Sequence, residues 1–514
     1  MAFISISCLF TITLYICYKL FVRTNRSTLP LPPGPTLLNP GAIPQKEIWL
    51  TFRKWHKEHG PIISLKLGVQ TIIILGNHQI AQDLLHKRGS LYSTHIQSPV
   101  FMEYGPKWKL HRRLHTTFLS HQSTRACQTL LDTQSKKVLH SLLSTNDFGS
   151  CFHKYVSNLM FNLAYGKDVG EENKSDLKHM DTMFESLTRA TSVMTFMVDI
   201  LPILDRLPRF LCRWKVKGEM SHNNVKNSFI KCVQSALQQD TWNWSQEAFG
   251  RKESKDFSLE QLAFSMGELY IAGSHTSDTT LRIFVLASLL HPSAVHEAQG
   301  ELDQVVGSQR LPSFEDQDKL PYVNAFISEV LRWRPMAPTG GPRTLSEDDE
   351  YMGYFLPAGA TVIANQWEMD MDESIFEDAP AFKPERWIQN PDLPLSAFGF
   401  GRRVCPGQHF ARSTLFIAIA RMLWAYHIDC PDGSSLEDVR TADRSEHFGV
   451  IYKLPPFEAS FRVRGPERQQ LIEQGWGMAN KDCKDLLKEI RNGAFNTKVI
   501  GAPSGARCFT GERR

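Results

Sequence analysis

The sequence predicts a mainly α-helical protein with small β-sheets, preceded by one N-terminal transmembrane helix. Three observations carry that prediction. An unbroken apolar run opens the chain. Helical periodicity dominates from Gln79 to about Pro335 and returns after Cys405. Short β-like runs are confined to residues 62–75 and to the stretch between Pro335 and Gln366.

The opening run, Ala2 to Val22, is interrupted only by Lys19. About 20 such residues suffice to span a bilayer, and Lys19 is near enough to the end to snorkel. Lys19, Arg23 and Arg26 lie at or beyond the end of the run. A cleaved signal would carry its positive charge ahead of the run, so an anchor with a cytosolic body is expected. Leu29 to Pro35 (LPLPPGP) then makes a stiff extended spacer, because proline fixes φ and resists helix. Ile62–Leu67 and Thr71–Leu75, joined by Gly68-Val69-Gln70, read as a hairpin. Leu259 to Leu290 has helical periodicity, and Pro321 to Pro335 is a helix begun and ended by prolines. Ala360–Ala364 is one of the later β-like pieces, and Gln408 to Tyr426 is helical again. Residues 464–514 are polar and weakly patterned. The chain thus divides into an anchor (1–22), a proline-rich hinge (23–40), a body (41–464) and a tail (465–514) expected to be partly disordered.

The 514 residues, 42% of them hydrophobic, allow a large core. The formal net charge is only +4, with no basic tract of the kind nucleic acid requires. The ten cysteines are scattered and form no C-x-x-C pair, which fits a reducing compartment and excludes a disulfide framework.

Phe398 to Gly407 (FGFGRRVCPG) concentrates chemistry. A lone cysteine ligates iron only as a thiolate, which needs N–H donors and positive charge nearby. Gly399 and Gly401 permit a tight turn, Arg402 and Arg403 offer charge, and Pro406 leads into the helix from Gln408. Cys405 is therefore expected at a helix N-terminus, where the dipole favours an anion.

This run resembles the heme-binding loop of the cytochromes P450, F-x-x-G-x-R-x-C-x-G, with Phe398, Gly401, Arg403, Cys405 and Gly407 matching. The resemblance spans the hinge to about Arg464 and implies the cytochrome P450 fold. It implies heme b with Cys405 as axial ligand and Arg403 on a propionate. Such a thiolate pushes electron density onto the iron and favours O–O cleavage. Trp108 and Arg112 match the family's W-x-x-x-R helix and Arg343 a further basic position, all implied to approach a propionate. Glu329 and Arg332 match its E-x-x-R pair, and Arg386, in Pro384–Trp387, the third member of a structural network. Ala272-Gly273-Ser274-His275-Thr276 matches A-G-x-(Asp/Glu)-Thr. Gly273 is implied to open space over the heme, and Thr276 to hydrogen-bond dioxygen and help deliver protons. His275 replaces the usual acid, and imidazole can also pass protons near neutrality. The stretch between Tyr92 and Trp108 is shorter than the family's and the tail after Arg464 longer.

The implied function is a monooxygenase inserting one oxygen atom from dioxygen into a hydrophobic small molecule. Its electrons would come from an NADPH–cytochrome P450 reductase on the same membrane. The endoplasmic reticulum is the expected site, with the catalytic domain facing the cytosol, and the style of the sequence resembles fungal members in secondary metabolism. Two alternatives stay open. One is a heme-thiolate isomerase or dehydratase using no dioxygen, which His275 favours and Thr276 opposes. The other is an inactive heme protein, which the shortened stretch before Trp108 favours.

Overall fold

The structure is a computed structural model that describes residues 28–35, 46–67, 70–94, 102, 104–169, 178–185, 207, 208, 210, 212–432, 435–442, 451, 452 and 454–495. The expected anchor (1–22) and most of the stretch between Tyr92 and Trp108 lie outside these residues. Among the described residues no helix is long and apolar enough to cross a membrane.

Helix α1 (Ile48–His59) leads into strands β1 (Ile62–Leu67) and β2 (Gln70–Leu75). These pair antiparallel with Leu67 opposite Gln70, the hairpin the sequence predicts. Helix α2 (His78–Ala81), capped by the Asn77 side chain, runs into a π-helical turn over Gln82–Lys87 and then β3 (Tyr92–Thr94). Helices α3 (Pro106–Phe118), α4 (Gln128–Leu142), α5 (Phe148–Tyr165) and α6 (Arg213–Leu237) follow. Residues 178–185 are also helical.

The central α7 (Leu259–Leu290) has the predicted bounds. A capping box between Ser258 and Gln261 satisfies its first N–H groups. Pro292 opens the next helix, and α8 (Pro321–Trp333) likewise begins at a proline. Twenty of the 32 residues of α7 are buried, as befits a helix that runs through a large core.

Strands β4 (Arg343–Leu345), β5 (Asp349–Tyr351), β6 (Tyr354–Leu356) and β7 (Thr361–Ala364) occupy the Gly- and Pro-rich stretch. One five-stranded sheet runs β1-β2-β7-β4-β3, with β2 parallel to β7, and β5–β6 form a hairpin. Helices α9 (Glu385–Gln389) and α10 (Gln408–Ala425) lead to the pair β8 (Tyr426–Asp429) and β9 (Ser460–Val463).

Two segments have structure beyond what the sequence led one to expect. The proline spacer is stitched to the body: Ser64 N–H donates to Pro33 O, its hydroxyl to Pro32 O (2.6 Å), and Phe355 N–H to Pro30 O. The tail, expected to be partly disordered, carries α11 (Pro466–Gly477) and α12 (Cys483–Ala494). Leu486, Leu487 and Ile490 of α12 are buried in the main core, which stabilises the helix in the way an amphipathic face does. Residues 496–514 lie outside the described residues.

Candidate active site

The loop before α10 is folded by its glycines. Gly399 and Gly401 have φ of +72° and +60°, and Cys405 N–H donates to Phe398 O at 2.8 Å, closing the turn. A Cβ on Gly401 would lie 2.1 Å from Leu85 O, so only glycine lets the loop sit on the π-helical turn. The Phe398 ring, partly buried, lies under the Arg412 guanidinium at 5.2 Å. Helix α10 begins at Gln408 with Gly407 as N-cap, so Pro406 lies just outside the helix. Cys405 thus precedes the helix by two residues, and the Gly407 N–H donates to its sulfur.

The charge beside that sulfur is not the expected one. Arg402 is exposed and donates to the Tyr104 hydroxyl. Arg112 of α3 reaches the loop, donating to Val404 O at 2.7 Å, and its charge acts on Cys405. Burial nevertheless dominates and pushes the Cys405 thiol up, with Gly407 N–H and Arg112 pulling down. The protein groups alone therefore leave a thiol, and a metal ion is what would hold it as thiolate.

Three guanidinium groups gather beside the loop. Arg343, on β4, is buried and donates to Phe400 O (2.7 Å) and Leu85 O (3.2 Å). Arg403 donates to Met102 O and stands over the Trp108 ring at 4.5 Å. Burial, with Arg403 opposite, pushes Arg343 down to about 10. Burial, with Arg112 opposite, does the same to Arg403. Cations that disfavour one another in a partly buried place fit an anionic ligand.

Helix α7 borders this place. In its middle, Ala272 is exposed and Thr276 half-exposed. Both lie on the stripe of Ser265, whose hydroxyl meets His111 Nδ1 of α3 at 2.5 Å. The stripe therefore looks toward the helix that delivers Arg112. Thr276 Oγ1 donates to Ala272 O at 2.6 Å.

A model of the cytochrome P450 family matches residues 29–456. The chain belongs to the cytochrome P450 family. Cytochrome P450 monooxygenase aneD of Aspergillus aculeatus is 36% identical over 498 residues, which cover 94% of this chain and 97% of that protein. Cytochrome P450 monooxygenase criE of Aspergillus cristatus is 38% identical over 490 residues, 91% of each. A solved zebra fish cytochrome P450 with abiraterone superposes with a TM-score of 0.67 at 21% identity, over 81% of this chain and 100% of that one, a likeness of fold. With such relatives the chain is an oxidoreductase, a P450 monooxygenase. P450s carry a heme whose iron is held by a cysteine thiolate. The half-buried Cys405 and the three arginines, suited to two propionate carboxylates, fit that group.

In this P450 Glu329 and Arg332 are fully buried, not a solvated pair. Arg332 donates to both Glu329 oxygens (2.8 and 2.7 Å) and to the carbonyls of Asp370, Ala379 and Ala381. Arg386 Nε reaches Glu329 Oε1 at 3.2 Å, and Trp387 Nε1 donates to Oε2 at 2.9 Å. The network continues where the sequence offered no signal. Asp370 Oδ2 accepts from the Ser396 hydroxyl (2.6 Å), and Ser396 O accepts from Gly399 N–H of the cysteine loop.

Two helix-α7 residues lie off the Ala272–Thr276 face. A Cβ on Gly273 would lie 2.6 Å from Met160 Sδ, so its glycine admits α5 against α7 and does not open space on the Ala272–Thr276 face. His275 does not share Thr276's face either, since one residue is a turn of about 100° on a helix. Its ring stacks on Phe184 (3.6 Å, 4°) and its Nε2 is 3.7 Å from Asp181 Oδ1.

Proposed function

We propose that this P450 binds heme b through Cys405 and inserts one oxygen atom from dioxygen into a hydrophobic small molecule in fungal secondary metabolism. Electrons would come from an NADPH–cytochrome P450 reductase on the endoplasmic reticulum membrane, to which residues 1–22 anchor a cytosolic catalytic domain. The observation that carries the reading is the cysteine loop itself, a half-buried Cys405 on which the Arg112 charge acts, with Arg343 and Arg403 held beside the same loop. The bound heme supplies dioxygen activation.

The chain's own residues do the rest. Arg112, Arg343 and Arg403 bind and orient the propionates, with Trp108 backing Arg403. Gly407 N–H holds the Cys405 sulfur. Ala272, on the open stripe, leaves room for substrate. The Thr276 hydroxyl donates to Ala272 O and so has its oxygen free to accept a proton-bearing neighbour. Turning that hydroxyl toward the open side lets it hold and pass a proton.

The reading is tested by the reduced carbon monoxide spectrum. Wild type should show the red-shifted Soret band of thiolate-ligated heme, with dioxygen-dependent NADPH consumption when reductase is added. Cys405→Ala should lose that band, and its persistence would place the ligand elsewhere. Deleting residues 1–26 should release most of the protein from membranes, since the long apolar run goes with them. Unchanged sedimentation with membranes would refute the single anchor.

A further inference from the structure

His153, Asp181 and His275 come from three separate segments: α5, the helical residues 178–185, and α7. Each offers one ligand atom, and these atoms all lie within 4.8 Å of one another. His153 Nε2 is 3.1 Å from Asp181 Oδ2, and His275 Nε2 is 3.7 Å from Asp181 Oδ1. The cluster lies off the Ala272–Thr276 stripe, so the heme site makes no use of it.

We propose that His153, Asp181 and His275 form a binding site for a divalent transition ion of the zinc class, separate from the heme. The donor set is right for such an ion: two imidazoles and a carboxylate are borderline ligands that zinc accepts. The spacing is right as well. Two bonds of about 2.1 Å at a tetrahedral angle hold their ligand atoms about 3.4 Å apart, and one oxygen of Asp181 with the two imidazole nitrogens lies within 4.8 Å mutual separation, so a small shift of these partly exposed side chains closes the site.

Hydrogen bonding between these groups accounts for less. A neutral imidazole donating to Asp181 would stand about 2.7–3.2 Å from its oxygen. His153 does so, whereas His275 Nε2 stops at 3.7 Å, and Asp181 Oδ1 is buried without accepting a hydrogen bond. Phe184 stacks flat on His275 and fixes the plane in which its nitrogen points, a supporting contact of the kind metal ligands have. The three side chains keep relative exposures of 24%, 33% and 13%. An ion could therefore enter from solvent, and water could complete its fourth position. Bound there, the ion would tie residues 178–185 to α5 and α7, which already meet closely at Gly273 and Met160.

The full-length, heme-loaded protein, stripped by a chelator, should be dialysed against micromolar zinc chloride and analysed for zinc and iron. Wild type should hold about one zinc per iron, as a single three-ligand site requires. His153→Ala and Asp181→Ala should each lower zinc at least tenfold at the same free concentration. The reduced carbon monoxide spectrum serves as the folding check. His153→Gln should lose zinc, because its amide has the reach to donate a hydrogen bond to Asp181 but is a poor zinc ligand. That variant separates a metal site from a hydrogen-bonded pair. Zinc should also raise the melting temperature of wild type but not of the His153→Gln or alanine variants. No retained zinc in wild type, or equal zinc in wild type and both alanine variants, would overturn the proposal. Full zinc retention in a folded His153→Gln protein would overturn it too.

Discussion

Gly273 shows how a single residue can keep its place in a motif for a reason the motif does not state. The motif position predicts room over a heme, but its absent side chain faces Met160 of α5. A methyl group there must displace the thioether, whose nearest atoms would be 2.6 and 2.7 Å away. Overpacking of this kind costs about 1–3 kcal/mol, and methionine is flexible enough to keep the cost near the lower end. Alanine gains about 1 kcal/mol over glycine inside a helix, so Gly273→Ala alone should change the melting temperature little. The penalty should shrink when Met160→Ala is already present, because the clash partner is gone. Four melting curves decide it, and additive effects would contradict the contact. His275 teaches the same lesson. Its spacing from Thr276 is legible in the sequence, but the neighbour it meets is set by residues 178–185, nearly a hundred positions earlier. Cys405 was legible because its glycines, arginines and helix start are contiguous. The arginine that acts on it, Arg112, was legible only as part of a second motif.

At the scale of elements, what could be read depended on whether the signal was local. Helix α7 carries its start in Ser258 and Gln261 and its stop before Pro292, and α8 is framed by prolines, so their bounds follow from sequence. The hairpin β1–β2 was equally local. The parallel pairing of β2 with β7 was not, since Ile72 meets Thr361 across nearly the whole body. Strand β3 fell inside a stretch read as helical because it is three residues long and exists by pairing with β4. In the tail, Pro466 and the Asp482 cap were present as start signals. The polar composition masks them, and burial of α12 in the core decides the outcome. Glu329 binds α8 to α9 and, through Arg332, Asp370 and Ser396, to the cysteine loop. Glu329→Ala would leave Arg332 and Arg386 charged in a buried place, a loss of about 3–5 kcal/mol. Soluble yield and heme content should fall together, measured by heme absorbance per protein. Normal heme content in Glu329→Ala would show that the brace does not reach the loop.

The whole molecule titrates according to the balance of its buried groups. His111 and His115 lie between α3 and α7. Burial pushes His111 down to about 4 and His115, with Arg112 and His111 nearby, to about 3. Both are neutral when folded, whereas in the unfolded chain each takes a proton near 6.5. Below that pH the unfolded state binds more protons, so stability falls on acidification, by up to about 1.4 kcal/mol per pH unit for each histidine. Glu368 opposes this. Burial raises its carboxyl to about 7 despite Arg53, so the folded state binds its proton first and acidification stabilises through that group. Asp278, Glu301 and His153, also raised, act in the same direction as Glu368, and His56 and His427, also lowered, act with His111 and His115, whose shifts are the largest among these histidines. The melting temperature of the heme-loaded protein should therefore fall from about pH 6.5 to about pH 5, above the range where ordinary carboxylates titrate. Replacing His111 and His115 together by asparagine removes both titrations while leaving Glu368. Whatever the absolute stability of that variant, its melting temperature should lose most of the slope over the same interval. A slope equal to that of wild type would mean that other groups carry the acid sensitivity and that the two histidines exchange protons with solvent in the folded state.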